Sequence, residues 1–181
     1  MSELTPENAK VEPLINEAEI KTRIKTMAKE IAPHMEKNVV VVGLLKGAYV
    51  FTADLVRELA RLGVVPIVDF MVLSSYGKST ESSGTVEVKL DCEEDLSGRQ
   101  VLLLDDILDS GRTLSFAVDH LEKLGASSVL TAVLLDKPSR RNNSFTADFS
   151  GFTIDNLFVV GYGIDFAEHF REHPYVGFVK Q

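Results

Sequence analysis

Several things are scarce in this chain. It contains one cysteine, Cys92, and no tryptophan in 181 residues. A lone thiol excludes an intrachain disulfide and fits a reducing compartment, so a cytoplasmic location is expected. Cations are also in deficit, with 19 Lys and Arg against 27 Asp and Glu and a formal charge of −8. General nucleic-acid binders carry the opposite balance, so neither nucleic acid nor an anionic membrane is an expected partner. No run reaches the roughly 18 apolar residues of a membrane span. The acidic, polar start MSELTPENAKVEP lacks the apolar centre of a secretory signal. Without that signal, the acceptor pattern Asn142-Asn143-Ser144 carries no expectation of glycosylation. Internal repeats and low-complexity segments are missing as well.

What is present describes a globular protein. Hydrophobic residues make up 45% and charged residues 25%, which are ordinary proportions. At this length roughly 70% of the unfolded surface is buried on folding, so one domain spanning residues 1–181 needs no staples. Residues 1–11 read as a loose tail. Residues 16–32 read as an amphipathic helix: Asn16 and Glu19 form a capping box, and Ile20, Ile24, Met27, Ala28 and Ile31 recur at helical spacing. VVVVGLL, residues 39–45, is a strand buried on both faces. Helices are expected over 48–62 and 113–124, ended by Gly63 and Gly125. Further strands are expected over 66–73, 85–90, 101–105, 128–135, 158–161 and 175–179. This alternation gives an α/β fold with a mostly parallel twisted sheet flanked by helices. Ligands of such sheets bind beyond the carboxyl ends of the strands.

The most informative stretch is VLLLDDILDSGRTL, residues 101–114. A buried strand delivers Asp105 and Asp106 at its end, a turn holds Asp109, Ser110 and Gly111, and a helix begins. Gly111 permits a tight path. The amides of residues 110–113 make an anion nest at the helix start, and the hydroxyls of Ser110 and Thr113 add donors. That geometry suits a phosphate monoester. Carboxylates beside a phosphate repel it unless they face donors, and vicinal ribose hydroxyls or a divalent ion such as Mg²⁺ resolve the conflict. The plainer reading is a strand–loop–helix turn with solvated acids. Competing phosphate motifs fail: G-x-x-x-x-G-K-[ST] is absent, and Gly161-Tyr162-Gly163 opens a dinucleotide fingerprint that Phe166 does not complete.

DDILDSGRT resembles the phosphoribosyl-pyrophosphate signature of type I phosphoribosyltransferases. GLLKGAYVFTADL (43–55), VDFMVLSSYG (68–77), LLDKPSRR (134–141) and FVVGYGIDFAEHFREHPYVG (158–177) resemble the bacterial hypoxanthine/guanine phosphoribosyltransferases. The likeness runs over residues 13–179, with several separated motifs in order. It implies the family fold, in which a small hood formed by the terminal segments sits over the sheet. It also implies the family reaction: a 6-oxopurine and phosphoribosyl pyrophosphate give a purine nucleotide and pyrophosphate, with Mg²⁺. A homodimer or homotetramer is implied too.

The resemblance assigns roles. Asp105 and Asp106 face the ribose hydroxyls, and Asp109 is the general base near purine N7. Ser110, Gly111, Arg112 and Thr113 hold the 5′-phosphate. Lys46-Gly47 forms the pyrophosphate loop, often with an unusual cis peptide, and Arg141 and Arg171 also bind pyrophosphate. Lys137 donates to the purine O6, selecting oxo-purines over adenine. Phe158 stacks on the base and Val159 offers backbone contacts. Asp165, beside the purine site, holds a second Mg²⁺, and Asp105 and Asp106 are the other metal candidates. Ser75 and Tyr76 belong to a flexible lid, residues 74–84, that excludes water. Each has a plainer reading: solvated cations for Lys46 and Arg112, surface salt bridges for Arg141 and Arg171, core packing for Phe158 and Val159, an exposed loop acid for Asp165, and a mobile loop for 74–84.

Two departures from the family pattern stand out. Asp105-Asp106 replaces a frequent Glu-Asp, and Phe166 replaces a frequent tyrosine; neither removes a reactive group. His169, Glu172 and His173 match H-x-x-E-H, a zinc-peptidase motif, but Pro174 disfavours helix there. His34 and His120 read as ordinary surface or helix residues. Acidic neighbours disfavour a thiolate at Cys92. Rival functions are a xanthine-preferring relative and a non-enzymatic regulator on the same fold.

Overall fold

A computed structural model of the chain describes residues 4–75 and 86–180. Tyr76 and most of the expected lid lie outside the described residues. Two sheets organise the rest. The larger has six strands: β2 (Val40–Leu45), β3 (Ile67–Ser75), β4 (Val86–Leu90), β5 (Gln100–Leu108), β6 (Ser128–Asp136) and β7 (Phe149–Thr153), in the order β4-β3-β2-β5-β6-β7. All neighbours pair in parallel except β3 with β4. The smaller sheet is antiparallel and joins β1 (Lys10–Ile15), β9 (Val176–Lys180) and β8 (Val159–Val160). Segments from both ends of the chain therefore build the small hood.

The helices form where the apolar spacing asks for them. In α1 (Glu17–Ile31) Asn16 accepts from the Glu19 amide at 3.0 Å, and Glu19 accepts from the Asn16 amide at 2.8 Å, closing the capping box. Its expected stripe, Ile20 to Ile31, is buried. The helix α2 (Tyr49–Arg61) buries Phe51, Thr52, Leu55 and Leu59, and α3 (Arg112–Lys123) buries Leu114, Ala117 and Leu121. Strand alternation then splits the core in two. Val41, Leu102, Leu104, Ala132 and Leu134 pack with α1 and α2, whereas Val40, Val42, Val101, Leu103 and Val133 pack with α3. Both faces of the sheet are covered, which is why its central strands are continuous apolar runs.

Three sequence expectations need correction. The tail does not stay loose through residue 11, because β1 starts at Lys10, paired with Lys180 of β9. The strand β7 was not anticipated. Its sequence FSGFT has no apolar run, and it is held by parallel pairing with β6 and by Arg23, whose Nε donates to the Gly151 carbonyl at 2.8 Å. The third concerns β5, which does not end at Asp105. Pairing with β6 continues through Ile107↔Leu135 and Leu108↔Asp136, so the acid pair lies within the strand. Among the described residues no helix is long and apolar enough to cross a membrane.

Candidate active site

The carboxyl ends of β2, β5 and β6 converge on one region. β5 carries Asp105 and Asp106, followed by the Asp109–Ser110 turn and Gly111, which precedes α3. Gly111 has φ +82°, a conformation that demands glycine, and a β-carbon there would also displace the Asn143 side chain, whose Oδ1 would stand 2.4 Å away. The turn is braced from behind. Arg141 Nη1 donates to the carbonyls of Leu108 (3.1 Å) and Asp109 (2.6 Å), its Nη2 pairs with Asp136, and the Asn142 amide donates to the Ser110 carbonyl at 3.1 Å. Asp105, Asp109, Ser110, Gly111 and Thr113 line a small pocket of ≈ 50 Å³ at this turn. Arg112 starts α3 with an exposed side chain.

Asp105 is buried, and its Oδ1 accepts from the Asp106 amide at 3.0 Å; Asp106 Oδ1 accepts from the Ile107 amide at 2.9 Å. Burial, and then the Asp106 charge, hold the Asp105 carboxyl well above the usual carboxylate range. Burial raises Asp106 too, opposed by its hydrogen bonds and the Arg171 charge. Two adjacent carboxylates in this environment are short of positive charge or donors.

The loop after β2 closes on this pair. A cis peptide joins Leu45 to Lys46, one bond before Lys46-Gly47. A β-carbon on Gly47 would lie 2.0 Å from Asp106 Oδ2, and one on Gly163 would lie 2.3 Å from the Gly47 carbonyl oxygen. The Asp106 carboxylate, the Gly47 backbone and the Gly163 backbone are thus stacked in that order without room for a methyl group. Arg171 ties the third layer down: Nη1 donates to the Gly163 carbonyl at 2.7 Å, and Nη2 lies 2.8 Å from Asp165 Oδ1 and 3.2 Å from Glu168 Oε2. Its Nε is buried without a hydrogen-bond partner among the described residues. Asp165 also accepts from the Glu168 amide at 2.8 Å, and Lys46 Nζ reaches Glu168 Oε2 at 3.0 Å.

A separate wall follows β6. Lys137 is 6% exposed, and its Nζ donates to the Leu157 carbonyl at 2.7 Å. Burial lowers its pKa, partly offset by the charges of Asp109 and Asp106. The next residue, Phe158, leaves 42% of its surface exposed while Phe166 braces it edge-on at 5.2 Å. Core packing therefore does not account for Phe158, but it does for Val159, which is buried in β8 against β9. Asp109 is half-exposed, with Arg140 Nε 3.2 Å from its Oδ1.

The structure thus brings together Asp105, Asp106, Gly47, Arg171 and Asp165, with the 109–113 turn on one side. Lys137 is in Coulomb range of Asp109 and Asp106, and its bond to the Leu157 carbonyl holds it to the residue that precedes Phe158. The structure sets Arg141 apart: the guanidinium is 12% exposed and committed to Asp136 and two carbonyls. Ser75 ends β3, and Tyr76 is not among the described residues. Residues 169–173 form no helix, and Phe170 between the histidines has φ +75°, so the zinc-peptidase spacing is not presented. No group of three or more metal-ligating side chains occurs among the described residues. Cys92 is pushed up to about 12 by burial and by Asp69 and Asp91. A groove of ≈ 420 Å³ between α1, α2 and residues 171–174 shares only Arg171 with this constellation. Sequence reading missed Arg140, Glu168 and Gly163 as site residues. Gly163 carried a signal in the Gly-Tyr-Gly run; the other two carried none.

Comparison with known proteins decides what this arrangement belongs to. The chain matches the family described as "Phosphoribosyl transferase domain" over residues 12–167. It is 46% identical over 173 residues to the hypoxanthine-guanine phosphoribosyltransferase of Aquifex aeolicus, covering 94% of this chain and 96% of that relative. The chain belongs to the hypoxanthine-guanine phosphoribosyltransferases. The hypoxanthine phosphoribosyltransferase of Escherichia coli K12 is 44% identical over 170 residues, 92% of this chain and 94% of its own. The bifunctional protein TilS/HprT of Listeria innocua is 45% identical over 168 residues, but this chain spans only about a quarter (26%) of its length. Among solved structures, the hypoxanthine-guanine phosphoribosyltransferase of Bacillus anthracis superposes with a TM-score of 0.88 at 38% identity, covering 94% of this chain and all of that one. The turn between β5 and α3 lies within the stretch that the family description matches, and the mostly parallel sheet with its small second sheet is the family's fold.

Proposed function

We propose that this phosphoribosyltransferase moves the 5-phosphoribosyl group from phosphoribosyl pyrophosphate to hypoxanthine or guanine, giving IMP or GMP and pyrophosphate. The observation that carries this reading is Lys137. A buried ammonium, bonded to the Leu157 carbonyl one residue before the exposed Phe158 and in Coulomb range of Asp109, offers a donor near a carboxylate base, with the Phe158 ring as a stacking shelf. An oxo group at the purine 6-position accepts from that donor; the amino group of adenine does not.

The steps follow from the chain's own groups. The amides and hydroxyls of residues 110–113 hold the 5′-phosphate at the start of α3. Asp105 and Asp106 accept from the ribose hydroxyls, which supplies the donors that the buried pair is short of. Asp109 takes the proton from purine N7 while N9 bonds to the sugar C1′. The bond from C1′ to pyrophosphate breaks, and its electron pair leaves with the pyrophosphate. Lys46, the Gly47 backbone and Arg171 receive the departing anion. Arg141 we assign to bracing the 109–110 turn rather than to pyrophosphate, because the carbonyls it holds, those of Leu108 and Asp109, belong to that turn.

The residues fit a divalent cation. Asp105 and Asp106 form a hard oxygen pair whose charge is under-compensated, and Asp165 retains lone pairs beyond its two contacts. Mg²⁺ bound at the Asp105–Asp106 pair, and a second ion at Asp165, would supply charge neutralisation to the pyrophosphate leaving group. A cytoplasmic, homo-oligomeric enzyme completes the reading, consistent with its single cysteine.

The test is pyrophosphate release from phosphoribosyl pyrophosphate with Mg²⁺, given hypoxanthine, guanine, xanthine, adenine or no base. Release with hypoxanthine or guanine, absent with adenine and lost on chelation, is expected. Release with xanthine alone would place the enzyme with xanthine-preferring relatives. Binding of the sugar pyrophosphate without base-dependent release would sink the enzymatic reading.

A further inference from the structure

We propose that Glu168 is a built-in stand-in for the substrate's pyrophosphate, occupying Lys46 and Arg171 in the free enzyme and giving way when the sugar substrate binds. The inference rests on the assignment of those two cations to pyrophosphate. A single oxygen, Oε2, lies 3.0 Å from Lys46 Nζ and 3.2 Å from Arg171 Nη2. One carboxylate oxygen thus bridges the two cations that a pyrophosphate would bridge. The cations come from segments far apart in sequence, the loop after β2 and the loop after β8, and Glu168 links them.

The backbone is shaped to present this side chain. Ala167 and Glu168 have φ +50° and +69°, a region that non-glycine residues enter at a cost. The Glu168 amide is anchored to Asp165 Oδ2 at 2.8 Å. Two consecutive left-handed residues and an anchored amide set the carboxylate where it reaches both Lys46 and Arg171. The bridge is nonetheless built to be broken. Glu168 and Lys46 keep 64% and 65% of their side-chain surface exposed. Exposed ion pairs are weak and screened by salt, whereas pyrophosphate brings several negative charges to the same donors. Glu168 balances the two cations, together with Asp165, while the site is empty. It competes with the arriving anion, and it recaptures the donors as pyrophosphate leaves, which favours release. Product release limits turnover in many enzymes.

The test is titration of the full-length protein with inorganic pyrophosphate and Mg²⁺ by calorimetry, at low and high salt, for wild type, Glu168→Gln and Glu168→Ala. Both variants are expected to bind pyrophosphate about two- to fivefold more tightly at low salt, the range that an exposed pair carries. The advantage should shrink as salt rises, and KM for phosphoribosyl pyrophosphate should fall while KM for hypoxanthine stays. A merely structural role for Glu168 would not tighten binding in both variants. Equal or weaker binding in folded variants would overturn the proposal and leave the function intact. Failure of wild type to bind pyrophosphate at all would instead remove the pyrophosphate assignment on which it stands.

Discussion

Asp109 and Lys137 separate two jobs that single substitutions can pull apart. Asp109 is half-exposed and touches Arg140 and solvent, so the fold owes it little. Its loss as a general base should therefore appear in turnover. Asp109→Ala is expected to lower kcat by about 10²- to 10⁴-fold, with an unchanged thermal midpoint; near-wild-type turnover would take Asp109 out of the base role. Lys137 is the reverse case, buried and bonded to the Leu157 carbonyl. Lys137→Ala leaves that carbonyl without its donor, at a cost of about 1–3 kcal/mol. It also removes the donor aimed at the purine 6-position. The ratio of kcat/KM for hypoxanthine to that for adenine should collapse, and an unchanged ratio would contradict the O6 contact. Neither pairing behind these residues was legible beforehand. Asp109 and Lys137 stand in recognisable motifs, but Arg140 next to Asp109 and the Leu157 carbonyl on Lys137 follow from where distant segments meet.

At the level of elements, legibility tracked the physics of burial. The strands β2, β5 and β6 are covered by helices on both faces, so VVVGLL, QVLLLDDIL and SVLTAVLLD announce themselves. The strand β1 carries Pro13 and charged residues and pairs only in the hood, and β7 is short and interrupted by Gly151. Both are held by partners rather than by their own patterns. The acids on β5 look terminal in sequence because the apolar run stops at Leu104, yet the ladder with β6 persists four residues further. The junction of the β2 loop with β5 is equally a property of elements. Gly47 has no room for a methyl group against Asp106. Gly47→Ala must therefore push the loop away from the acid pair. The expected outcome is a large rise in KM for phosphoribosyl pyrophosphate and a fall in kcat, with far-UV circular dichroism unchanged. Wild-type kinetics in that variant would show that the close approach is not needed for catalysis.

For the molecule as a whole, the acid pair sets function against stability. Burial holds Asp105 and Asp106 above the usual carboxylate range in the folded state. An unfolded Asp titrates near about 3.9. As pH rises past that value the unfolded chain releases protons that the native pair still holds. Stability then falls with increasing pH until the native groups have ionised as well. Carboxylates such as Glu30, lowered by its hydrogen bond to Arg23, act in the opposite sense and lose their contribution as pH falls. The total pH profile therefore mixes both signs, and the difference between wild type and a variant isolates the pair. Asp105→Asn keeps an oxygen for the Asp106 amide and deletes the buried charge. Its stability advantage over wild type in urea unfolding should be small at pH 4 and grow towards neutral pH. Each kcal/mol gained corresponds to roughly 2–4 °C in thermal midpoint at this chain length. The same variant should lose affinity for phosphoribosyl pyrophosphate, because the carboxylate that destabilises the empty fold is the one assigned to the ribose. A variant no more stable than wild type at pH 7 would show that the fold does not hold Asp105 above the unfolded value, and the demand for ribose hydroxyls or Mg²⁺ at this pair would go with it.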